Sequence, residues 1–514
     1  MNLRPIQFLL HPIQNSITRF LTTMTTSAYP LSSPLTHPQP VIVVGSGLAG
    51  LSAATQLISH QVPVIMLDRA DKPGGNSIKA SSGINGAPTR FQSGDADDSR
   101  ELFLADTVKS AGGVFANSPA EEHRRRESLM ATVTASSAEA VYWLTDEKGV
   151  DLSTVCRLGG HSRPRTHRGA GQRPPGISIV SALLDSLKAS SLFQLRSGAR
   201  VTKVLREADE VLGVQYTGGE KSEAEDGTTT TTLNGPVVFA SGGFAGDAHG
   251  LLAKYRPDLA GIPSTNQAVE GTQPLLEDVG AGLVDMEQVQ IHPTGFVDEK
   301  EPSASVKILA AEALRGEGGI LLLENGKRFV NELETREHIT NVIMRSAKPL
   351  ETDARQWDVN LLLDEGTAAA LGSHMGFYLW KGLMRKTTVH ELGSSMLETV
   401  KTYADIVSGK QPDEFGRTAF GNWTLKDVTP DSVVYIGKVT PVTHFTMGGA
   451  TIDERSQVLD KDGAPIKGLW AAGEVTGGLH GQNRLGGSSL LECVVFGRIA
   501  GNEAAAFHKK HYAS

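Results

Sequence analysis

The stretch Pro40-Val41-Ile42-Val43-Val44-Gly45-Ser46-Gly47-Leu48-Ala49-Gly50, continued to Asp68, decides the fold. Val41-Ile42-Val43-Val44 is a β-branched run suited to a buried parallel strand. Gly45, Gly47 and Gly50 follow in GxGxxG spacing, and residues 51–58 read as a helix. A second apolar run, 62–67, ends at Asp68, 18 residues beyond Gly50. Each piece has a mechanical reason: a tight turn, a close backbone approach to a pyrophosphate, close helix–strand packing, and a carboxylate for a ribose hydroxyl. A lone GxGxxG carries little weight. Set between strand, helix, second strand and terminal acid, it predicts a dinucleotide cradle in preference to a ligand-free glycine turn.

Working outward, Lys72-Pro73-Gly74-Gly75-Asn76-Ser77 lies directly after the ribose acid, where a chain bound to FAD continues past its strand; this favours FAD over NAD. Two more apolar strands end in glycine: Val237-Val238-Phe239-Ala240-Ser241-Gly242-Gly243 and Gly468-Leu469-Trp470-Ala471-Ala472-Gly473-Glu474. Three such turns spread over the chain predict one large α/β domain whose last part returns after an insertion. At 514 residues the chain is long enough for two or three packed units. Its 56 glycines exceed ordinary usage of about 7% and suit many close backbone approaches.

The net charge of −8 gives no bulk attraction for nucleic acid or an anionic membrane, and no apolar run of roughly 18 residues predicts a membrane span. The two cysteines, Cys156 and Cys493, make no CxxC, CxxCH or zinc spacing, so no metal is expected. Residues 1–37 read as a leader. They carry Arg4 and Arg19, much Ser and Thr and no acid, like a mitochondrial transit peptide, although Pro5 and Pro12 interrupt a helix. A start at Met24 leaves a cytosolic form as the alternative. Residues 128–148 read as one helix, and 221–232 (KSEAEDGTTTTT) as a surface tip between strands. The segment 157–173 holds five arginines and two histidines; it is read as a loop against cofactor phosphate or the substrate mouth, with a polyanion patch and a solvated loop as alternatives.

These segments, from about Pro40 to Ala506, resemble the flavoproteins of the fumarate reductase/succinate dehydrogenase superfamily, and most of all the soluble fungal-type fumarate reductases and the flavin part of flavocytochrome c. The resemblance implies a Rossmann-like FAD-binding domain split by an inserted α+β capping domain. Boundaries are expected at 38–285 and 436–514 for the two FAD-binding parts and 286–435 for the cap. It implies FAD contacts at Gly45, Ser46, Gly47, Leu48, Ala49 and Gly50, at Asp68 and Arg69, and at Gly74, Gly75, Asn76 and Ser77. Further contacts are implied at Ser82 and Gly83, at Ala240, Ser241 and Gly242, at Gly473 and Glu474, and at Ser488, Ser489 and Leu490. Membrane-complex relatives attach FAD through a histidine upstream of the pair matching Gly83-Ile84; Asn76 occupies that place here, so noncovalent FAD is expected.

Reducing an activated double bond requires a hydride, a proton donor and groups that hold carboxylates. On its own His292, before Pro293, reads as structural; the resemblance makes it and Gln290 substrate contacts. Glu312 and Arg315, three apart, read alone as an ordinary ion pair. In the family they feed protons to an arginine acid, which Arg336 matches; without the resemblance Arg336 reads as a surface residue. His444 and Arg484 match the family's carboxylate clamp. Relatives often carry Thr before the glutamate, where this chain has Ala311. The expected reaction is fumarate to succinate, a small dicarboxylate substrate. The alternatives are another enoate such as urocanate, L-aspartate oxidation, or flavin binding without turnover. The electron donor is left open between an NADH-linked route, free reduced flavin and a protein.

Overall fold

The computed structural model describes residues 39–92, 97–170, 173–219 and 229–512, so the leader reading lies outside the described residues. Its main sheet grows from the opening strand. Val41–Val44 pairs in parallel with Val64–Leu67 on one side and Val237–Phe239 on the other, with Val41 opposite Val64 and Ile42 opposite Val237. Val237–Phe239 pairs in parallel with Pro465–Ala471. Phe193–Arg196 borders one side, and Glu210–Gly218 and Ala199–Glu207 the other, of a nine-stranded sheet. Every residue of Val41–Val44 is buried, which is why the strand is an unbroken β-branched run instead of an alternation. The three glycine-ended strands are therefore neighbours, and their turns lie side by side.

The helix Leu48–Ser59 leaves the first turn and packs on the last helix, Ser488–Tyr512. Gly497 and Gly501 permit that approach: a Cβ on either would lie 2.5 Å from a carbonyl oxygen, of Ala49 or of Ala53. At the turn itself Gly45 has φ +102° and a Cβ there would lie 2.3 Å from Ala240 O.

A second, antiparallel sheet of five strands is built from Val289–Phe296, Val433–Thr446, Val359–Asp364, Ile320–Leu323 and Arg385–Thr388. Arg336–Ser346 packs across Val289–Phe296. The core beneath this sheet also takes in Phe244, Leu251, Leu259 and Ile262 before residue 286, and Val439 after 435. Strand Val433–Thr446 thus runs through position 435 without a break.

Three local expectations change. Residues 128–148 are not one helix: Ala120–Ala135 and Ser137–Tyr142 meet at Ser136, and the turns of Trp143–Glu147 are wider. The interruption lets the Ser137 hydroxyl bond both N–H and C=O of Ala87. Within the expected tip 221–232, residues 221–228 lie outside the described residues, but Thr230–Asn234 is a strand paired to Glu210–Gly218. Two arginines of the 157–173 segment are neither solvated nor part of a basic patch, whereas Arg173 is exposed. Arg165 is buried in ion pairs with Asp98 and Asp106, and Arg168 pairs with Glu317. Thr166–Arg168 is the central strand of a small sheet with Ile84–Asn85 and Thr154–Cys156.

The glycines separate packing from access. A Cβ at position 50 would lie 2.0 Å from Gly45 O and 3.2 Å from Val43 Cγ1, whereas at position 47 the nearest atom is Ser77 Oγ at 3.6 Å. Gly50→Ala is expected to lower stability by about 1–3 kcal/mol, the usual range for overpacking, and Gly47→Ala by much less. Thermal denaturation of the two variants beside wild type checks this; equal losses would refute the packing argument.

Candidate active site

A single cavity of about 2050 Å³ runs from the first glycine turn to the second sheet. At one end lie Gly47, Asp68 and Arg69; at the other, His292, Arg336, His444 and Arg484. The first end is rigidly preset. Asp68 accepts from the backbone N–H groups of Ser46 and Ala70, each at 2.8 Å, and from the Ser46 hydroxyl. The Ser46 hydroxyl oxygen also accepts from Gly74 N–H at 3.0 Å, tying the second glycine pair to the first turn. The face of Gly47 is open, and a side chain there would project into space that a pyrophosphate needs. This end fits FAD.

Of the expected cofactor residues, all line the cavity except Gly50, Gly74 and Ser488. Gly50 serves helix–strand contact, Gly74 donates to Ser46, and the Ser488 hydroxyl accepts from the Asn85 amide at 2.9 Å. Each shapes the wall from behind. Asn76 does line the cavity, and its side-chain oxygen accepts from Lys79. Glu474, buried at the turn after Pro465–Ala471, accepts from Thr446 N–H at 3.0 Å, and burial pushes its carboxyl up to about 7.

The far end is dry and cationic. Arg336, the first residue of its helix, follows Thr335, whose side chain caps His338 N–H. Its guanidinium donates from Nε to Glu312 Oε2 at 2.6 Å and from Nη1 to Gln290 Oε1 at 3.1 Å. The other Glu312 oxygen accepts from Gly159 N–H at 2.9 Å. Burial raises the Glu312 carboxyl, but the positive charges of Arg336 and Arg315 outweigh it and hold the group below the usual carboxylate range. Arg315 is 1% exposed and donates to Glu332 O at 2.8 Å; burial pushes it down to about 10, and its Nε and one Nη have no partner.

His292 and His444 face each other with ring centroids 5.2 Å apart. His292 Nδ1 lies 3.2 Å from both the N–H and the carbonyl oxygen of Thr294, and its Nε2 is a buried atom with no partner among the described residues. His444 Nδ1 bonds the Thr265 hydroxyl at 2.9 Å. Burial, then the charge of Arg336, drives both rings well below 6.5, so both are neutral donors near pH 7. Arg484 is pushed down to about 9, by burial first and Arg336 next. Among the described residues it forms no ion pair; its Nε is unpartnered and Nη1 reaches Leu485 O at 3.3 Å. A buried guanidinium without a carboxylate awaits one.

The structure brings His292, His444, Arg336 and Arg484 to one cavity wall. Glu312 and Arg315 stand behind that wall. Gln290 does too: its amide is committed to Asn483 Oδ1, Arg484 O and Arg336, so it is a positioning residue and not the substrate contact expected. Sequence reasoning assigned no role to Gly159, Thr265 or Asn483, whose service comes through backbone, a single hydroxyl and an amide, although Gly159 lies in the arginine-rich segment and Asn483 beside Arg484.

A dinucleotide cradle that opens on buried cations and neutral imidazoles defines a flavoprotein oxidoreductase acting on a small anion. The FAD binding domain family model matches residues 40–490. "Fumarate reductase 1" of Saccharomyces cerevisiae is 43% identical, over 91% of this chain and 98% of its own length. "Fumarate reductase" of Schizosaccharomyces pombe is 40% identical, over 90% and 89%. The solved open conformation of a flavocytochrome c3 fumarate reductase superposes with a TM-score of 0.69 at 30% identity, covering 92% of this chain and 79% of that one. The chain belongs to the FAD-binding fumarate reductase flavoproteins.

Four histidines are held uncharged: burial pushes His161 and His167 down to about 4, and His292 and the half-buried His444 well below 6.5. The unfolded chain takes up these protons near pH 6.5 while the folded chain does not. Stability is therefore full above pH 6.5 and falls as the pH is lowered toward 4. His161→Gln is expected to remove up to about 1.4 kcal/mol per pH unit from that slope. Thermal midpoints measured from pH 7 to 4.5 test this; a flat profile would contradict buried neutral rings.

Proposed function

We propose that this protein uses noncovalent FAD to reduce the double bond of fumarate, giving succinate, with Arg336 as the proton donor. The observation that supports it most is the Arg336–Glu312 pair at the inner end of the cavity, flanked by His292, His444 and Arg484. FAD held by the glycine turns and reduced by an electron donor would supply a hydride to one alkene carbon. Arg484 takes a substrate carboxylate through charge-assisted bonds, and the neutral His292 and His444 rings flank its oxygens. Arg336 gives its proton to the second alkene carbon, which completes succinate.

A guanidinium ordinarily keeps its proton. Here burial first, and then the charge of Arg336, lowers Arg484, and burial lowers Arg315 against the pull of Glu312, so three guanidiniums repel one another at one buried end of the cavity. Loss of one proton relieves that repulsion, and Glu312, in contact with Arg336, is placed to restore it. Ala311 leaves one polar contact of the family pattern unfilled: its side chain is buried in the second core and its N–H donates to the Tyr378 hydroxyl at 3.2 Å. Reduction of another enoate is therefore the second reading, and turnover of fumarate, urocanate, mesaconate and methacrylate with a reduced dye under anaerobic conditions distinguishes the two. The acid-free leader supports a mitochondrial destination.

Arg336→Ala is expected to lose about 10²- to 10⁴-fold in turnover while keeping its FAD, and Arg336→Lys to recover a little of it. Near wild-type fumarate reduction by Arg336→Ala would place the proton donor elsewhere. Acid precipitation should release all the flavin to the supernatant, as Asn76 in place of an attachment histidine requires; yellow pellet would overturn noncovalent binding.

A further inference from the structure

An arginine that must receive a substrate carboxylate faces a conflict. It has to be held in one orientation inside a dry site, yet any internal carboxylate that held it would occupy the same N–H donors. Arg336 resolves this by sharing: Glu312 and Gln290 take part of its edge. Arg484 has no such partner. Among the described residues its one hydrogen bond is the long contact to Leu485 O at 3.3 Å, and it is only 3% exposed.

What does touch it is a ring. The Arg484 guanidinium carbon lies 4.1 Å from the centroid of the Phe445 ring. Phe445 is itself buried and lines the cavity beside His444. On its other contacts the Phe445 ring meets the His480 ring in an edge arrangement, with centroids 5.8 Å apart and planes at 73°. His480 is fixed in turn by Glu492 Oε2, 2.7 Å from its Nε2. Arg484, Phe445, His480 and Glu492 thus form one stack reaching from the cavity to the last helix.

We infer that Phe445 is the positioning residue of Arg484: its π face carries the guanidinium, so that the N–H edge stays free for a substrate carboxylate. The attraction is electrostatic, between the ring's negative face and the cation, and it strengthens when water is excluded. It uses the flat face of the guanidinium and none of its donors, which lie in the plane. His480, held by Glu492, keeps the ring from turning away. An aliphatic side chain of similar volume fills the space and loses the attraction; another aromatic keeps both.

The inference rests on the reduction of a dicarboxylate's double bond proposed above, and its test is built to be read apart from it. Holoenzymes carrying Phe445→Leu and Phe445→Tyr are titrated with succinate, following the flavin absorbance, and assayed with fumarate and a reduced dye. Phe445→Leu is expected to keep its FAD, to raise the succinate Kd and the fumarate KM by about 3- to 30-fold, and to lower kcat less. Phe445→Tyr is expected to stay within about twofold of wild type. If the leucine variant does not fold, 3,4,5-trifluorophenylalanine at position 445 keeps the shape and empties the ring face, and the same rise is expected. An unchanged Kd in a ring-weakened variant, or a tyrosine variant as weak as the leucine one, overturns the inference. A wild-type enzyme that binds succinate but does not reduce fumarate refutes the reductase reading, and the Kd comparison still decides this one.

Discussion

The bond between Arg336 and Glu312 joins two parts of the chain that the rest of the structure exists to bring together. Glu312 comes from the turn before Ala313–Gly316, Arg336 from the start of Arg336–Ser346, and the second carboxylate oxygen is held by Gly159 from the arginine-rich segment. A buried pair of this kind tolerates no loose end, because removing either charge leaves the other stranded in a dry interior. The surroundings show how the demand is met. A Cβ at Gly159 would lie 3.0 Å from one Glu312 oxygen and a Cβ at Gly486 2.8 Å from the other, so both neighbours are stripped to backbone. Behind Arg315, Glu332 is bound by Arg328 and Arg417, and Arg417 also donates to Arg315 O at 2.9 Å. Glu332, Arg328 and Arg417 are thus tied into ion pairs behind the Arg336–Glu312 bond, while Arg315 and Arg484 form none among the described residues.

That arrangement explains a division of labour on the cavity wall. Arg336 is bound to its own carboxylate, whereas Arg484 is held without one. The two imidazoles are neutral, so they contribute direction without adding positive charge to a site that already holds three guanidiniums. A dianion entering this space meets donors already oriented, which is what lets fixed dipoles act without reorganising during the reaction.

The cofactor half was legible in the sequence because its function is backbone geometry. Gly45, Gly47 and Gly50 each have one steric reason to be glycine, and those reasons fall in a fixed spacing along a strand and helix. The two later glycine-ended strands were legible for the same reason, and they do pair beside the first. The substrate half was legible only through family resemblance. Arg336 alone resembles any charged residue at a helix start, and His292 any histidine in a turn. Gln290 was misread because an amide beside a substrate histidine gives no sign of which neighbours will consume its bonds. Arg165 and Arg168 were misread because their partners, Asp98, Asp106 and Glu317, lie in other segments, and a local charge count cannot see pairing across 60 to 150 residues. The break at Ser136 was missed because helix periodicity continues across it, while the hydroxyl at 137 answers to a distant backbone.

The neighbouring placement of Val41–Val44, Val237–Phe239 and Pro465–Ala471 sets an order of events during synthesis. The three turns that form the cradle are contributed by segments some 200 residues apart, so their pairing is a long-range closure. A ribosome making this chain has exposed the first two glycine turns long before the third strand exists. The nascent sheet therefore waits with an open edge beside Val237–Phe239, the kind of edge that invites mispairing. The cavity wall is complete only once the final strand brings Gly473 and Glu474 beside the first two turns, so binding energy drawn from all three turns counts toward the completed fold.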